Sequence, residues 1–598
     1  STPAMLLKVK DRAPEETIAA IRGIAQELGI LHTERWYSYK DKVFSVALDD
    51  AKAVSSEVAI GKGTTKLGAL ASAYGEFIER MQHGYFVSPR FGLMKDKRSF
   101  DFGDDELIPV DDFDDEQRAI FRGFFDDSFD QLRWKERRIN CVPFYDVLED
   151  RLAYLPGAFM KRSCLTNGVA AGNTSEECLV EAISEIFERH VVSRTFIDKL
   201  DLPTIPLSEA RVHPDSREII AELQREGHRV LIKDATLGGR YPVVCVVAVD
   251  RRQSNFTAKF GAHPLFEVAL ERCLTEVFQQ RTRLPITSSI TPRVGDEAAH
   301  SHNRTRYIHS GAGTLPANLL FNRNGSRPKH REAFQESFSD NRSALGFLMQ
   351  SVRNNGHRIY VRDTSFLGFP SYQAYIPGIT ELHKLSAGWV QFLNHSDRIR
   401  ETLLHLNTAA AEDIEKALST LEDLYWRQDD ASDRIRHSQP VIFLCGIFQK
   451  PDGIWREFRN VEYLFACLFC RLGNFEKAFK YLDNLIEKRS GQIENLSEMK
   501  AIRTFLYLRS QGFPEGEIEE TMKELYGRDM AEPIIEDLSD HTKVLDSLCL
   551  PECGDCGTCP AADVCLYEEW QRRSALLEEK IGSSVLDQRK VAQVFRGL

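Results

Sequence analysis

One arrangement of apolar and polar positions occurs three times along the chain. The first copy runs from Gly63-Thr64-Thr65 into Leu70-Ala-Ser-Ala-Tyr-Gly-Glu-Phe-Ile-Glu-Arg80. The second runs from Gly172-Asn173-Thr174 into Leu179-Val-Glu-Ala-Ile-Ser-Glu-Ile-Phe-Glu-Arg189. A weaker third joins Gly261-Ala262-His263 to Leu270-Glu-Arg-Cys-Leu-Thr-Glu-Val-Phe-Gln-Gln280. Aligned, Glu76, Glu185 and Glu276 share one column and Glu79, Glu188 and Gln279 the next, so the columns recur after 109 and then 91 residues. That period predicts a duplicated sub-domain, not a solenoid. Each copy predicts a strand, a glycine turn and a helix. Positions 72, 76 and 79, like 181, 185 and 188, fall about one turn apart on one helical stripe. Their flanks are apolar: Leu70, Ala73, Phe77 and Ile78 in one helix, Val180, Ile183, Ile186 and Phe187 in the other. A solvated amphipathic helix shows a wide polar face. Here that face narrows to an acid stripe with an arginine beside it.

The rest of the pattern divides the chain. Residues 14–29 read as an amphipathic helix, and 42–48 and Val54 to Ile60 as strands. The apolar run at Tyr241–Val249, with Thr257–Phe260, predicts a strand region leading into the third copy, and His357–Asp363 predicts another strand, followed by Tyr372-Gln-Ala-Tyr-Ile-Pro-Gly378. Residues 286–330 are rich in Ser, Thr, Arg, Asn and Gly, and read as a mobile loop carrying Arg293, His302, Arg304, Arg306 and His309. It is either a solvated loop or a lid that closes on phosphate. Beyond about residue 395 helices follow one another, at 410–427, 456–472, 475–487, 497–511 and 516–526. Phe465-Ala466, Phe469, Gly473, Ala478 and Leu482 have the spacing of a tetratricopeptide (TPR) unit, two antiparallel helices closed by small residues. The expected class is α+β: an internally duplicated domain over 1–395, an all-α TPR-like C-terminal domain over 396–545, and a Cys-rich segment with a terminal helix over 546–598.

Composition is that of a soluble globular protein of two to four domains: 598 residues, 42% hydrophobic, 28% charged. A net charge of −12 argues against a general nucleic-acid binder. No apolar run approaches the roughly 20 residues of a membrane span. The start, Ser1-Thr-Pro-Ala-Met5, lacks the charged and apolar regions of a signal peptide, so the cytoplasm is the expected compartment. Of thirteen cysteines, eight are scattered, mostly among apolar neighbours, and read as small core residues. Five are packed into Cys549-x3-Cys553-x2-Cys556-x2-Cys559-x5-Cys565. Short loops of Gly and Asp let successive sulfurs converge on an Fe–S cluster or a structural Zn²⁺, with Cys553, Cys556, Cys559 and Cys565 as ligands and Cys549 left over. Redox or persulfide-carrying thiols, or incidental cysteines, are the other readings.

Carboxylates among apolar residues are costly unless a metal or a cation compensates them. Several converging stripes offer the hard oxygen ligands that Mg²⁺ with a nucleotide's phosphates needs, and the arginines suit phosphate oxygens. The alternative is an internal salt-bridge network or ordinary surface helices. Repetition together with apolar flanks favours the metal–nucleotide site.

The paired Ser72-x3-Glu76-x2-Glu79-Arg80 and Glu181-x3-Glu185-x2-Glu188-Arg189 resemble the ATP site of the YcaO-domain family, as does Glu276 with Gln279, Arg281 and Arg283. Thr166-Asn-Gly-Val-Ala-Ala-Gly-Asn-Thr174, Gly238-Gly-Arg-Tyr-Pro-Val-Val-Cys-Val-Val247, Phe260-Gly-Ala-His-Pro264 and Pro377-Gly378 agree with it. The similarity runs from Lys10 to about residue 530, in the layout of the family's long stand-alone type. The resemblance implies ATP-dependent activation of a backbone amide in a peptide or protein, by phosphorylation of the amide oxygen. Glu76, Glu79, Glu185 and Glu188 would hold Mg²⁺, with Glu181 assisting. Lys10, Thr17, Ser72, Arg80, Glu181, Ser184, Arg189, Gln279 and Arg283 would contact the nucleotide, and Arg189 joins the four glutamates as catalytic.

Azoline-forming members tend to end in a proline-rich tail that enters the active site. This chain ends Val594-Phe-Arg-Gly-Leu598, which weighs against cyclodehydration. Long members are associated with β-methylthiolation of a ribosomal protein, as accessory factors to a radical enzyme. Two readings follow: an amide-activating enzyme linked to sulfur incorporation (thioamidation or methylthiolation), or a non-catalytic ATP-binding accessory factor. The expected partners are a peptide or protein substrate, a radical methylthiotransferase or sulfur donor, and a second copy forming a homodimer through the helical domain, with no membrane and no direct nucleic acid.

Overall fold

The computed structural model describes the chain apart from residues 1–8, 53–57, 85–102, 133, 136, 285–302, 309–310, 312, 321–326, 427–459, 547–554, 560–561 and 585. Its described residues separate into two compact units: those within 9–84, 103–385 and 573–598 in one, and those within 386–572 in the other. Among the described residues no helix is long and apolar enough to cross a membrane.

The first unit is a mixture of antiparallel sheets and helices. Strands β1 (His32–Tyr39), β2 (Val43–Asp50) and β3 (Ala59–Gly63) form a three-stranded sheet in that order. β4 (Glu106–Pro109), β5 (Arg138–Asp146), β6 (Arg151–Leu155) and β7 (Val169–Ala171) join β12 (Tyr360–Asp363) and β13 (Ser371–Tyr375) in a six-stranded sheet ordered β4-β5-β12-β13-β7, with β6 on β5. β8 (Thr204–Ile205), β9 (Arg229–Asp234), β10 (Val243–Asp250) and β11 (Asn255–Ala262) form the third, ordered β11-β10-β9-β8.

Three helices carry the repeated pattern: α1 (Lys66–Gln82), α2 (Ser175–Ile197) and α3 (Phe266–Val277). Each follows a strand whose small residues let it settle closely. A Cβ on Gly61 would lie 1.9 Å from the Ala69 carbonyl oxygen and 2.3 Å from the Ala73 nitrogen. A Cβ on Gly261 would lie 2.3 Å from the Ala269 carbonyl oxygen and 3.0 Å from the Cys273 nitrogen. The same close approach recurs at the same offsets, so the duplication read in the sequence is a duplication of packing. Thr65 and Thr174 cap α1 and α2 alike, their hydroxyls accepting from Gly68 N and Glu177 N.

α2 is the centre of the main core. Val180, Ile183 and Phe187 share one apolar cluster with Val243, Val247 and Ala258 of the third sheet and with Val361 and Ala374 of the six-stranded sheet. A helix buried on both sides cannot show a broad polar face, which is why its acids were confined to a stripe.

The segment expected as a loop at 286–330 lies partly outside the described residues, including Arg293, His302 and His309. Its described part differs from expectation, because Tyr307, Leu315 and Leu319 are buried in the α2 core. Three apolar anchors hold what polar composition had suggested was mobile. The chain's end, expected with the Cys-rich segment, folds with the first unit. Gln588 exchanges two hydrogen bonds with the Asp363 backbone at 2.7 and 2.9 Å, and Phe595 packs on Tyr145 with ring centroids 6.3 Å apart.

The second unit begins at Ser386, ten residues before the expected boundary, and its described elements are helices. α4 (Ala387–Leu404), α5 (Ala411–Trp426), α6 (Val461–Arg471), α7 (Phe475–Arg489), α8 (Leu496–Ser510), α9 (Glu515–Tyr526) and α10 (Arg528–Ser539) follow in order. Gly473 takes φ +75° in the turn between α6 and α7, and the Phe469 and Tyr481 rings stack across that pair at 5.7 Å.

The close approach under α1 makes an opposed pair of outcomes. Gly61→Ala is expected to cost about 3 kcal/mol, because the obstructing atoms are backbone. Gly75→Ala, in the same helix with nothing within 4 Å of the new methyl, is expected to stabilise by about 0.5–1 kcal/mol. Urea unfolding of the full chain checks both.

Candidate functional site

The three repeated helices of the first unit converge on one cavity of about 820 Å³. Lys10, Thr17, Ser72, Glu76, Glu79, Arg80, Glu181, Glu185, Glu188, Arg189 and Gln279, each singled out by the sequence, all line it. Two others do not. Ser184 is fully buried, and Arg283 is exposed beyond the C-terminus of α3.

The two acid stripes are built alike. Glu76 Oε2 accepts from Ile60 N, and Glu185 Oε1 accepts from Gly168 N, both at 3.3 Å. Arg80 Nη2 lies 3.3 Å from Glu76, and Arg189 Nη1 lies 3.3 Å from Glu185, each pair one helical turn apart. Arg80 Nη1 also lies 3.3 Å from Glu79. The first turns of α2 are tied to the N-terminal segment. Lys10 Nζ donates to Glu181 at 2.9 Å, Asp11 N donates to Glu177 at 2.8 Å, and Thr17 Oγ1 donates to Asn173 Oδ1 at 2.7 Å.

Sequence reasoning missed several residues of this wall. Arg272 pairs with Glu181 and donates to the Ala262 carbonyl at 2.7 Å. The signal was present, since the column that holds Ser72 and Glu181 holds Arg272 in the third copy. Lys62, between the glycines of β3, pairs with Glu276 and donates to Gln279 at 3.2 Å. Lys259 of β11 and Tyr307 also line the cavity. Their only trace in the sequence was a lone lysine in an otherwise apolar strand, and an aromatic in a polar stretch.

Burial dominates the protonation of the stripes. It lifts Glu79 to about 8 against the opposing pull of Arg80, with the charges of Glu185 and Glu76 adding to it. It lifts Glu188 to about 7, against Arg189 and with Glu185. For Glu181, burial pushes upward, but Arg272 and Lys10 overcome it and hold the carboxyl well below its usual range. Burial brings Lys259 down to about 8, with Arg281 and Lys62 acting in the same direction.

The donor set fits a hydrated Mg²⁺ carrying phosphates. Carboxyls that burial leaves close to neutral acquire their counter-charge when a dication arrives. Arg189 Nη1 is buried and, although ion-paired with Glu185 at 3.3 Å, makes no hydrogen bond among the described residues, so its N–H is available to a phosphate oxygen. Among the described residues, no three His, Cys, Asp or Glu side chains are gathered to hold a metal as they stand. The glutamates are instead spread among the arginines and lysines that neutralise them. Of the cysteines, Cys549 and Cys553 lie outside the described residues, Cys556 and Cys565 are exposed, and Cys559 is half-buried. These three described thiols form no metal-binding group.

The raised carboxyls set a pH dependence. In the unfolded chain Glu79 titrates at its ordinary value, so between about pH 5 and 8 the ligand-free folded chain binds more protons, and stability falls as pH rises. Glu79 alone should contribute about 3 kcal/mol to that fall. Glu79→Gln is expected to flatten the loss of Tm between pH 5.5 and 8.5, as read by calorimetry.

Comparison with known proteins gives one family and a set of relatives. The family model described as YcaO cyclodehydratase, ATP- and Mg²⁺-binding, matches residues 60–380. Over 526 residues the chain is 28% identical to the ribosomal protein S12 methylthiotransferase accessory factor YcaO of Escherichia coli, covering 84% of this chain and 87% of that protein. It is 27% identical over 545 residues to an uncharacterized protein of Haemophilus influenzae, covering 87% and 90%. Among solved structures, YcaO from Methanopyrus kandleri bound with AMPPCP and Mg²⁺ matches with a TM-score of 0.42 at 19% identity, over 62% of this chain and 92% of that one. A heterocyclase in complex with substrate and cofactor matches with a TM-score of 0.46 at 16% identity, over 62% and 53%.

Proposed function

Because the chain belongs to the YcaO family of ATP- and Mg²⁺-binding proteins, we propose that it activates a backbone amide of a peptide or protein by phosphorylating the amide oxygen. The reaction is linked to sulfur incorporation, as thioamidation or as a step that serves methylthiolation. The observation that supports this reading is the pair of like-built stripes, Glu76, Glu79 and Arg80 with Glu185, Glu188 and Arg189, along one cavity. They are close enough for the charge of Glu185 to act on Glu79.

In this reading Glu76, Glu79, Glu185 and Glu188 hold Mg²⁺, with Glu181 assisting. Mg²⁺, when bound, supplies the charge neutralisation that phosphoryl transfer requires. Arg80, Arg189 and Gln279 orient the phosphates, and Lys10 and Thr17 fix the nucleotide. The protein's work is positioning and electrostatics. A nucleophile adds to the amide carbonyl carbon, and the resulting oxyanion takes the terminal phosphoryl group of ATP and releases ADP. Phosphate then leaves with the original amide oxygen. With hydrogen sulfide as nucleophile the balance is amide, H₂S and ATP to thioamide, ADP and inorganic phosphate.

A second reading is favoured by the similarity to the E. coli accessory factor. In it, ATP binding without turnover sets a docking surface, in the helical unit, for a radical methylthiotransferase or a second copy of the chain. The spacing of the five cysteines favours an Fe–S cluster, which would carry the sulfur link, or a structural Zn²⁺, which would leave that link to the ATP site alone; iron, zinc and acid-labile sulfide analysis of anaerobically purified protein distinguishes them.

Glu76→Gln and Glu188→Gln are each expected to abolish Mg²⁺-dependent ATP binding in calorimetric titrations while preserving the far-UV circular dichroism. Unchanged affinity in both variants refutes the metal–nucleotide assignment. ATP consumed in proportion to modified product supports the enzyme. Binding without consumption in the presence of acceptor and sulfur donor supports the accessory role.

A further inference from the structure

One lysine of the cavity is used by neither the fold nor the roles assigned above. Lys259 is 6% exposed, on β11, and lines the cavity. Lys10, Lys62, Arg80, Arg189 and Arg272 each have a carboxylate within ion-pair distance. Lys259 has no hydrogen-bond or ion-pair partner among the described residues. Its surroundings leave room for the amine without pairing it. The Tyr307 ring centroid lies 5.5 Å from Nζ, and the Tyr307 hydroxyl is engaged with the Ala258 carbonyl at 2.6 Å. At Gly311, where φ is +61°, an added Cβ would stand 2.3 Å from Nζ, so the bare backbone preserves the space that the ammonium occupies.

The charges that act on Lys259 are Arg281, Lys62 and a single carboxylate, Glu188. Arg281 is half-buried, lines the same cavity and likewise has no partner among the described residues. Among the described residues, this end of the cavity therefore carries more positive charge than its acids neutralise. At the Lys10 end, Glu177 and Glu181 compensate the cations. A buried ammonium without a counter-charge is unfavourable unless an anion arrives with a ligand. The group in the proposed reaction whose negative charge must be held next to Glu188 is the phosphoryl group in transit.

We propose that Lys259, with Arg281, forms an anion subsite for the terminal phosphoryl group of the nucleotide as it passes to the acceptor oxygen. The inference rests on the nucleotide reading of the cavity. In the step, the bond from the terminal phosphorus to the bridging oxygen of ADP breaks and a bond to the amide oxygen forms. Lys259 keeps its proton and compensates charge throughout, as a donor directed at the phosphoryl oxygens.

The test is equilibrium binding of ATP and of ADP, each with Mg²⁺, to the full chain. The wild type is expected to bind ATP more tightly than ADP. Lys259→Met should weaken ATP by about 10-fold or more and leave ADP within about 2-fold, as expected for loss of one charge-assisted contact. Lys259→Arg should restore most of the preference. The methionine variant removes an uncompensated buried charge, so its ligand-free Tm should be unchanged or higher. Should that variant fail to fold, Arg281→Gln carries the same expectation of ATP weakened and ADP spared. Loss of both nucleotides alike, or of neither, overturns the subsite. Normal ATP affinity with lost turnover also overturns it and assigns the lysine to an oxyanion of the acceptor. A wild type that binds neither nucleotide refutes the underlying nucleotide reading instead.

Discussion

Everything at the centre of the first unit depends on compensating carboxylates that the fold takes out of water. Two helices bring Glu76, Glu79, Glu185 and Glu188 to one cavity, and isolated buried carboxylates would be prohibitive there. The structure meets the constraint in two ways. Arg80 comes within pairing distance of Glu76 and Glu79 and Arg189 of Glu185, while Lys10 and Arg272 meet Glu181 and Lys62 meets Glu276, and burial leaves Glu79 and Glu188 titrating near neutrality. The result is a cavity whose charges balance only in part until a ligand arrives. On the proposed reading, metal and phosphate complete that balance when the nucleotide loads, and the internal ion pairs carry part of it when the nucleotide leaves.

Close packing makes that arrangement reproducible. The glycines of β3 and β11 bring α1 and α3 so near their strands that a single methyl group would strike helix backbone at both places. α2 is held between two sheets by Val180, Ile183 and Phe187. Rigid helix placement fixes where the acid stripes meet, so a duplicated local motif becomes one bipartite site. The C-terminal residues contribute to this frame. Arg342 donates to the Val594 carbonyl at 3.1 Å, and Val591 and Phe595 enter the same core as α2, while no described residue after 572 lines the cavity.

Much of the site was legible because helical periodicity is local. An acid every three or four residues among apolar neighbours has few physical explanations, and its repetition after 109 and 91 residues removed most of them. Arg272 was legible in principle, since it stands in the column of Ser72 and Glu181. Lys62 and Lys259 were not, because a lysine in a strand points to solvent or to a cavity according to which sheet face is covered, and a remote helix decides that. The described part of the 286–330 stretch was misread for a similar reason. Its composition is polar, but Tyr307, Leu315 and Leu319 are enough to anchor it once a core exists to receive them.

The sequence by itself determined the α+β and helical division, the duplicated strand–turn–helix unit and the acids that unit presents, because short-range spacing sets which residues share a face. Tertiary structure alone decided which cations meet those acids, how far burial raises Glu79 and Glu188, that the terminal segment returns to the first unit, and that Lys259 faces the cavity with no ion-pair partner among the described residues. Each of these depends on contacts between residues distant in the chain, and on a local dielectric that no stretch of sequence possesses until the sheets and helices close around it.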